Sequence, residues 1–422
     1  MEHKASTAST DYLSAQDAVR LLDVRMQTLY AYVSRGWVHS ISQPGRKDRL
    51  YARTDIEKLR ARSLARSGHG AVAASAMHWG EPIIPTSITQ ITPEGPLYRG
   101  RLATQLTRSG AAFEEVAELL WSGELGMPGL RWPRYGQTER LRQFAASIAV
   151  PGSNNQLMEL LALFTMQLGL SHGNSAARTG RGDPLVLARE LIQTMAGCFG
   201  FASGKRAFYQ LSRGQSIAEG LLGALQMPDS AENRTGLNAA LVLLADHELS
   251  PSSFAARIAA SSGATLHSCV AAAACTTSGT HVGGIYSQVE QFLARAASHG
   301  ALFRRASDLQ GRGLGVPGFS HPLYPHGDPR AHLLLDLIQK RPDRSKRLDT
   351  LERFIADVQE RLGLYPRQEL ALVLLGTAIG LPGNTVGAMF TLARTAGWVA
   401  HVREQQLTGT LLRPRAKFIG QA

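Results

Sequence analysis

The residues best suited to chemistry are histidines and arginines that interrupt apolar helices or lie among glycines and prolines. "LLADHELS" places His247 straight after an apolar helix, and "GVPGFSHPLYPHGDPRAHLL" places His321 and Arg330 where Gly and Pro break the chain. Arg394 lies inside the apolar stretch "TLARTAGWVAHV", and Arg413 follows in "LLRPRAKFIG". A buried arginine is costly unless an anion meets it, and a guanidinium binds a carboxylate through two hydrogen bonds. Together these segments predict a site for a small di- or tricarboxylate, although a structural ion pair explains any one arginine better.

A large helical scaffold is needed to bring such distant segments together. From about residue 88 amphipathic patterns recur, Gly and Pro punctuate them, and β-branched runs are few. The predicted helical segments are 113–122, 155–168, 184–199, 215–225, 234–247, 253–275, 286–298, 331–340, 349–361, 368–380 and 384–405. The sequence therefore predicts a mainly α domain of enzyme size.

Composition narrows the class of protein. The chain has 422 residues, 44% of them hydrophobic, which suits two or three domains with a large core. No apolar run approaches the roughly 18 residues that span a bilayer, and "MEHKASTAST" has no apolar signal-peptide core. The 3 cysteines are odd in number and lack metal-ligand spacing, so they are predicted to be reduced thiols. We expect a cytoplasmic protein without a metal or a membrane.

The first seventy residues form a different pattern. They carry 12 Lys and Arg against 7 Asp and Glu, a net +5 within a total of +12, and a basic excess suits an anionic partner. Ser14 and Asp17 have the spacing of a helix cap, "DVR" is a short turn, and Gly36 ends a second helix. "VHSISQPGRKDRLYAR" reads as two short strands around a turn, and Thr54 starts a third helix. The order helix, turn, helix, wing, helix predicts a winged helix-turn-helix domain at residues 10–66, followed by a Gly/Ala-rich linker at 67–87.

This layout resembles the DNA-binding domains of the MerR and excisionase-like families. The resemblance implies that the second helix enters the major groove and that the wing contacts phosphates. The candidate DNA-binding residues are Arg25, Gln27, Thr28, Ser34 and Arg35 on or beside the second helix, and Arg46, Lys47 and Arg49 on the wing. Docking on protein instead of DNA is the alternative.

The rest of the chain is similar to the citrate synthase family over about residues 88–420. The resemblance rests on "ITPEGPLYRG", "FEEVAELLWSGEL", "ALVLLADHELSPSSFAARIAASSGA", "GFSHPLYPHGDPRA", "ARTAGWVAHVREQ" and "RPRAKFIG", in the family's order and spacing. It implies a two-domain helical fold that closes over its substrates. The large subdomain is expected at about 88–282 and 390–422, and the small subdomain at about 283–389. It also implies a homodimer in which each active site takes an arginine from the partner subunit.

The half of the site that holds the oxo acid keeps the family pattern. Family members condense an acyl-CoA, usually acetyl-CoA, with a 2-oxo acid, usually oxaloacetate. The resemblance assigns His321 to polarising the ketone and His247, Arg330 and Arg394 to binding the substrate. Arg413, the first arginine of "RPR", is the residue that would reach into the partner's site.

The acyl-CoA half departs from the family pattern. The motif G-P-x-H-G-G aligns with "GTHVGG", so Val282 takes the place of the histidine that stabilises the enolate, and His281 lies one residue early. His281 could replace that group only if the backbone shifts by one residue. Glu369 takes the place of the catalytic aspartate, and Pro322 and Pro325 replace residues that are often basic in relatives. A base one methylene longer is misplaced by about 1 Å, which can cost on the order of a hundredfold in rate.

Two functions are compatible with these residues. The first is a citrate synthase-like acyltransferase with Glu369 as base, His321 as acid and His281 as a displaced enolate stabiliser. It would bind no permanent cofactor and would use acetyl-CoA or another acyl-CoA as substrate. The second is a catalytically impaired, dicarboxylate-sensing regulator that binds DNA through its N-terminal domain.

Overall fold

The computed structural model describes residues 12–22, 24–34, 37–42, 49–53, 55–56, 59, 84–136, 139–148, 156–172 and 184–413. They belong to two compact units, which divide the chain between Ile84 and Pro85. Three predicted DNA-binding residues, Arg35, Arg46 and Lys47, lie outside the described residues, as do residues 67–83 of the predicted linker.

The first unit combines two short helices with a small sheet. Its elements are β1 (Tyr12–Leu13), α1 (Ala15–Leu22), α2 (Met26–Ser34), β2 (Ser40–Ser42) and β3 (Arg49–Ala52). The strands are antiparallel in the order β1-β3-β2, and Ile41 pairs with Leu50. The Asp17 amide donates to the Ser14 hydroxyl 3.2 Å away, which satisfies a free N–H group at the start of α1. The buried residues Ala18, Leu22, Leu29, Val38, Tyr51 and Ile56 form its core.

The second unit opens with an antiparallel sheet that the helical pattern did not predict. Its strands are β4 (Thr89–Thr92), β5 (Gly95–Tyr98) and β6 (Arg101–Leu102), in that order. The turn between β4 and β5 forms because Gly95 adopts a φ of +117°, which side chains disfavour. Just before this sheet, the Ser87 amide and hydroxyl donate to Glu404 at 2.7 and 2.8 Å, so residues predicted to be linker are fixed to the helical unit.

Helices make up most of the second unit. In chain order they are α3 (Ala103–Arg108), α4 (Phe113–Ser122), α5 (Glu139–Ser147), α6 (Leu157–His172), α7 (Pro184–Cys198), α8 (Ile217–Leu225), α9 (Ala231–Leu244), α10 (Pro251–Ser261), α11 (Leu266–Thr277), α12 (Gly284–Ala294), α13 (His299–Gly311), α14 (Pro329–Gln339), α15 (Lys346–Leu362), α16 (Gln368–Ile379) and α17 (Thr385–Thr408). A short 3₁₀ turn, Phe199–Ala202, follows α7. The prediction of a mainly α fold is confirmed.

The long segment predicted at 253–275 is two helices. Gly263 has a φ of +82°, a left-handed conformation that ends α10. The Thr265 hydroxyl then accepts the Ser268 amide and caps α11. The sequence predicted one helix because the apolar pattern continues across the break, and both helices bury small residues such as alanine.

Helix α17 lies at the centre of the second unit. It packs against α4, α6, α7, α9, α10 and α11 and is buried along nearly its whole length. Everything polar on such a helix must find a partner inside the protein or bind a ligand. One helical window, Leu185–Ala202, has the length and apolar composition of a membrane span, but 83% of it is buried within the protein.

Candidate active site

His247 lies on a turn that the Tyr98 hydroxyl holds in place. Helix α9 ends at Leu244, and this hydroxyl accepts the Asp246 amide at 3.3 Å. It also lies 3.1 and 3.2 Å from the carbonyl oxygens of Leu243 and Asp246, to which it can donate. Tyr98 is fully buried at the end of β5, so the unpredicted sheet positions the predicted histidine.

His321 and Glu369 are brought together by two paired loops. The Ser320 amide donates to the Tyr365 carbonyl, and the Arg367 amide donates to the Gly318 carbonyl, each at 2.8 Å. Gly318 has a φ of +86°, and a Cβ there would lie 2.9 Å from a side chain of α16, so only glycine allows this approach. Glu369 sits in the first turn of α16, directly behind the second loop.

The His321 imidazole is neutral and can donate a hydrogen bond. Its Nδ1 accepts the Leu323 amide at 3.1 Å, so the proton of the neutral ring is on Nε2. Burial, together with the nearby Arg330, lowers the pKa of His321 to about 4. At neutral pH, Nε2–H is therefore a fixed donor of the kind that polarises a carbonyl.

His247 and Tyr324 complete the histidine side of the site. The two imidazole rings are 5.9 Å apart, edge to face, and His247 Nε2 lies 3.2 Å from the Tyr324 hydroxyl. Burial, Arg330 and Arg394 hold the pKa of His247 well below its usual range, so this ring is neutral as well.

Arg330 is oriented by an aspartate two residues before it. Its Nε and Nη2 donate to the two oxygens of Asp328 at 3.0 and 2.8 Å, and both side chains are essentially buried. Asp328 also caps α14 and accepts the Gln368 amide. Although burial opposes the charged form, Asp328 raises the pKa of Arg330. The guanidinium is therefore permanently charged, with Nη1 free of protein partners among the described residues.

Arg394 is a buried cation with unused hydrogen-bonding capacity. It is 3% exposed in the middle of α17, and its Nε donates to the Leu244 carbonyl at 2.8 Å. Its guanidinium carbon lies 4.8 Å from the Phe390 ring centre. Burial lowers the pKa of Arg394, and no other hydrogen bond joins its Nη groups to the described part of the chain. A buried cation with two free donor groups is well suited to bind a carboxylate.

Glu369 is held by an arginine that sequence reasoning missed. Arg367 Nε and Nη2 donate to its two oxygens at 3.1 and 2.7 Å. Burial alone would raise the pKa of Glu369, but the charge and hydrogen bonds of Arg367 outweigh it and lower that pKa. Glu369 is thus an ionised, 5% exposed carboxylate beside a neutral imidazole. The only sequence signal was the i, i+2 spacing in "PRQEL".

The structure does not bring His281 to this cluster. His281 is exposed, whereas Val282 packs against the core. The register is fixed by Gly283, whose amide donates to the Thr277 carbonyl at 2.7 Å and whose missing Cβ would lie 2.4 Å from that oxygen. A one-residue shift would place a larger side chain at this contact.

Arg413 is also remote from any partner among the residues described. It is exposed beyond the end of α17, and no described residue makes a hydrogen bond or an ion pair with it. The residues that converge are thus His247, His321, Arg330, Glu369 and Arg394, drawn from four separate segments.

The candidate DNA-binding residues lie on the surface of the first unit. Arg25 and Gln27, at the start of α2, are exposed, and Thr28 is half-buried. Arg49 is exposed at the start of β3. Side chains of α2 that face solvent are available to a partner, while Leu29 holds the helix to the core.

Comparison with known proteins finds relatives of the second unit. The family model described as "Citrate synthase, C-terminal domain" matches residues 77–415. The chain is 27% identical over 364 residues to Citrate synthase 2 of Bacillus subtilis, covering 79% of this chain and 93% of that protein. It is 24% identical over 370 residues to 2-methylcitrate synthase 1 of Corynebacterium glutamicum, covering 79% and 92%.

Solved structures share the fold. Citrate synthase from Thermotoga maritima superposes with a TM-score of 0.63 at 23% identity, covering 81% of this chain and 94% of that one. The ternary complex of carboxymethyl coenzyme A and oxaloacetate with citrate synthase from Thermoplasma acidophilum gives 0.63 at 21% identity, covering 81% and 95%.

Proposed function

The chain belongs to the citrate synthase family, and from that premise we propose that it condenses acetyl-CoA, or another acyl-CoA, with oxaloacetate or a related 2-oxo acid. The observation that carries the proposal is the convergence of two neutral histidines and two buried arginines on one site. Arg394 and Arg330 would bind the two carboxylates. The Nε2–H of His321 would donate to the ketone oxygen, and His247 would line the same pocket.

The chemistry follows from the protonation states. Ionised Glu369 would take a proton from the methyl group of the acyl-CoA, and the resulting carbanion would attack the ketone carbon. His321 would supply the proton that the new hydroxyl needs, and water would then cleave the thioester to release the thiol. In this scheme His281 can stabilise the enolate only if acyl-CoA binding shifts the turn at residues 280–283.

A thiol-release assay tests the proposal. The purified full chain should release free thiol from acetyl-CoA or propionyl-CoA only when oxaloacetate is present. Release without an oxo acid would instead indicate a simple thioesterase. No release with any acyl-CoA, despite binding of oxaloacetate, would favour the second function below.

A catalytically impaired sensor is the second candidate. It is favoured by Val282, an apolar side chain at the position of the enolate-stabilising group, in a turn that Gly283 fixes. In such a protein, binding of the dicarboxylate would alter DNA binding by the first unit. This requires that the ligand favour one conformational state over another. Thermal stabilisation by oxaloacetate without turnover is the expected signature.

Removing Arg367 should move the pH dependence of the reaction upwards. Arg367 lowers the pKa of Glu369, so in Arg367→Met burial dominates and that pKa rises. The acid limb of the profile of kcat/KM against pH should therefore shift to higher pH. In the wild type the stabilisation from this pair is present above the unfolded pKa of glutamate and is lost as pH falls through the lowered folded value. An unchanged acid limb would mean that Glu369 is not the base.

We also propose that the chain is a homodimer joined partly through α6. Leu163, Met166 and Leu170 are spaced on one face of this helix and are 44%, 40% and 55% exposed. Arg413, which is exposed and has no hydrogen-bond or ion-pair partner among the described residues, would enter the other subunit's site. Met166→Glu with Leu170→Glu should yield monomers in analytical ultracentrifugation and abolish turnover. Leu314→Glu, at another exposed leucine, should leave the dimer intact; a dimer that survives the double change contradicts this interface.

For the first unit we propose DNA binding. The full chain should shift upstream DNA in a gel at low salt, and affinity should fall steeply as salt rises. Arg46→Ala should weaken binding to all sequences alike, because a phosphate contact carries no sequence information. Arg304→Ala, an exposed arginine of the second unit, should have no effect. Absence of any shift at low salt would favour docking on protein.

A further inference from the structure

One face of α17 fits closely against the end of α9. The face consists of Arg394, Gly397 and His401, spaced three and four residues apart. Arg394 binds the Leu244 carbonyl, as described above, and the Gly397 amide lies 3.0 Å from the Ala245 carbonyl. His401 Nε2 lies 3.4 Å from Asp246 Oδ1. The three residues just before His247 therefore each contact one residue of α17: Leu244 contacts Arg394, Ala245 contacts Gly397, and Asp246 contacts His401.

Gly397 makes this approach possible. A Cβ at this position would lie 2.1 Å from Asp246 Oδ1 and 2.6 Å from the Ala245 carbonyl oxygen. Both atoms belong to a buried backbone segment or to a fully buried side chain, so neither can move away easily. Any other residue here would separate the two helices.

Asp246 and His401 are both 0% exposed. An isolated carboxylate buried this deeply would take up a proton. Burial does favour the neutral acid, but His401 and Arg394 outweigh it and lower the pKa of Asp246. The carboxylate is therefore ionised, and His401 is its only side-chain neighbour within salt-bridge distance among the described residues.

The other oxygen of Asp246 holds the turn that carries His247. Its Oδ2 accepts the Glu248 amide at 3.1 Å. This hydrogen bond joins the residues immediately before and after His247. Glu248 has a φ of +58°, which is unfavourable for a residue with a side chain and persists only when its surroundings enforce it. An ionised Asp246 is a stronger acceptor for that amide than a protonated one.

We propose that His401 is a positioning residue of the active site: it holds Asp246 in place, and Asp246 in turn fixes His247 and the neighbouring Arg394 to receive the oxo acid. This inference deepens the proposed function and rests on it. Neither residue of the pair touches substrate.

Two readouts test the inference in the full-length protein. In His401→Leu the affinity for oxaloacetate in calorimetry should fall about tenfold or more, because the buried Asp246 carboxylate loses the ion-pair neighbour that lies 3.4 Å from its Oδ1. Hydrogen exchange of the Glu248 amide should accelerate in the absence of any ligand. In steady-state assays the KM for oxaloacetate should rise while the KM for acyl-CoA stays constant, which general damage to the fold would not produce.

The conservative variant separates positioning from packing. His401→Gln places an amide N–H near the Nε2 position and should restore both readouts. His401→Asn, one methylene shorter, should not restore them. This variant replaces His401→Leu as the disruptive change if His401→Leu fails to fold. His267→Leu, at another buried histidine, should leave the oxaloacetate affinity and the Glu248 exchange unchanged.

The outcomes distinguish this inference from the proposed function. Wild-type protein that takes up no oxaloacetate overturns the proposed function, and the exchange of the Glu248 amide then decides the structural role of His401 by itself. Unchanged exchange and affinity in His401→Leu overturn the inference. So does a His401→Gln variant that is impaired as strongly as His401→Leu.

Discussion

Replacing Glu369 by glutamine should lower kcat by on the order of 10²–10⁴, the usual contribution of a positioned general base. Glutamine has nearly the same shape and can still accept a hydrogen bond from Arg367, but it cannot take up the methyl proton. Because Glu369 would act on the acyl-CoA and not on the oxo acid, the affinity for oxaloacetate should change much less than the turnover. Single-turnover thiol release and oxaloacetate calorimetry measure the two effects separately.

The chain offers a matched control for this change. Arg189 donates to both oxygens of Glu118 at 2.8 and 3.1 Å, the same paired geometry as Arg367 and Glu369, but away from the candidate site. Glu118→Gln should therefore keep kcat while disturbing a comparable ion pair. If Glu369→Gln retained the full turnover, another group would have to be the base.

Replacing Arg394 by methionine should weaken oxaloacetate binding by about two orders of magnitude or more. The reason is that two charge-assisted hydrogen bonds to a carboxylate are lost, each worth roughly 1.5–3 kcal/mol. Methionine fills most of the same buried volume, and no carboxylate forms an ion pair with Arg394 among the described residues, while Asp246 nearby keeps His401 at 3.4 Å. The variant should therefore fold, and calorimetry should show the loss directly.

Arg257 provides the control for this second change. It is also buried in the helical core, but it is paired with Glu404 at 2.8 Å. Arg257→Met should lower the melting temperature, because Glu404 loses its cationic partner, and should leave the Kd for oxaloacetate unchanged. Equal losses of affinity in both variants would show that Arg394 acts through stability and not through the ligand.

Much of the helical fold could be predicted from periodicity. The segments predicted at 113–122 and 368–380 correspond closely to α4 and α16, because buried faces repeat at helical spacing. Helix α13 was missed because "HGALFRRASDLQG" is polar apart from a few buried positions. The sheet formed by β4, β5 and β6 was missed because strands of two to four residues are too short to show the alternation of apolar and polar residues that marks a strand.

Some features of the candidate site could likewise be predicted from sequence, and others could not. The burial of Arg394 in a helix could be predicted from sequence, because the residue lies within an apolar stretch and a charge there needs an explanation. The pairing of Glu369 with Arg367 and the dependence of His247 on Tyr98 could not, because they join segments that only the tertiary fold brings together. The orientation of His281 and Val282 depends on the packing of Gly283 against Thr277, which no local pattern reveals.

The most direct test of the account is a crystal structure of the full chain with oxaloacetate bound. We expect the ligand to bridge Arg330 and Arg394, with its ketone oxygen within hydrogen-bonding distance of His321 Nε2 and with Arg413 of the partner subunit on one carboxylate. Crystals soaked to saturation that show the cluster without ligand, or with the oxo acid bound elsewhere, would contradict both the proposed enzyme and the proposed sensor.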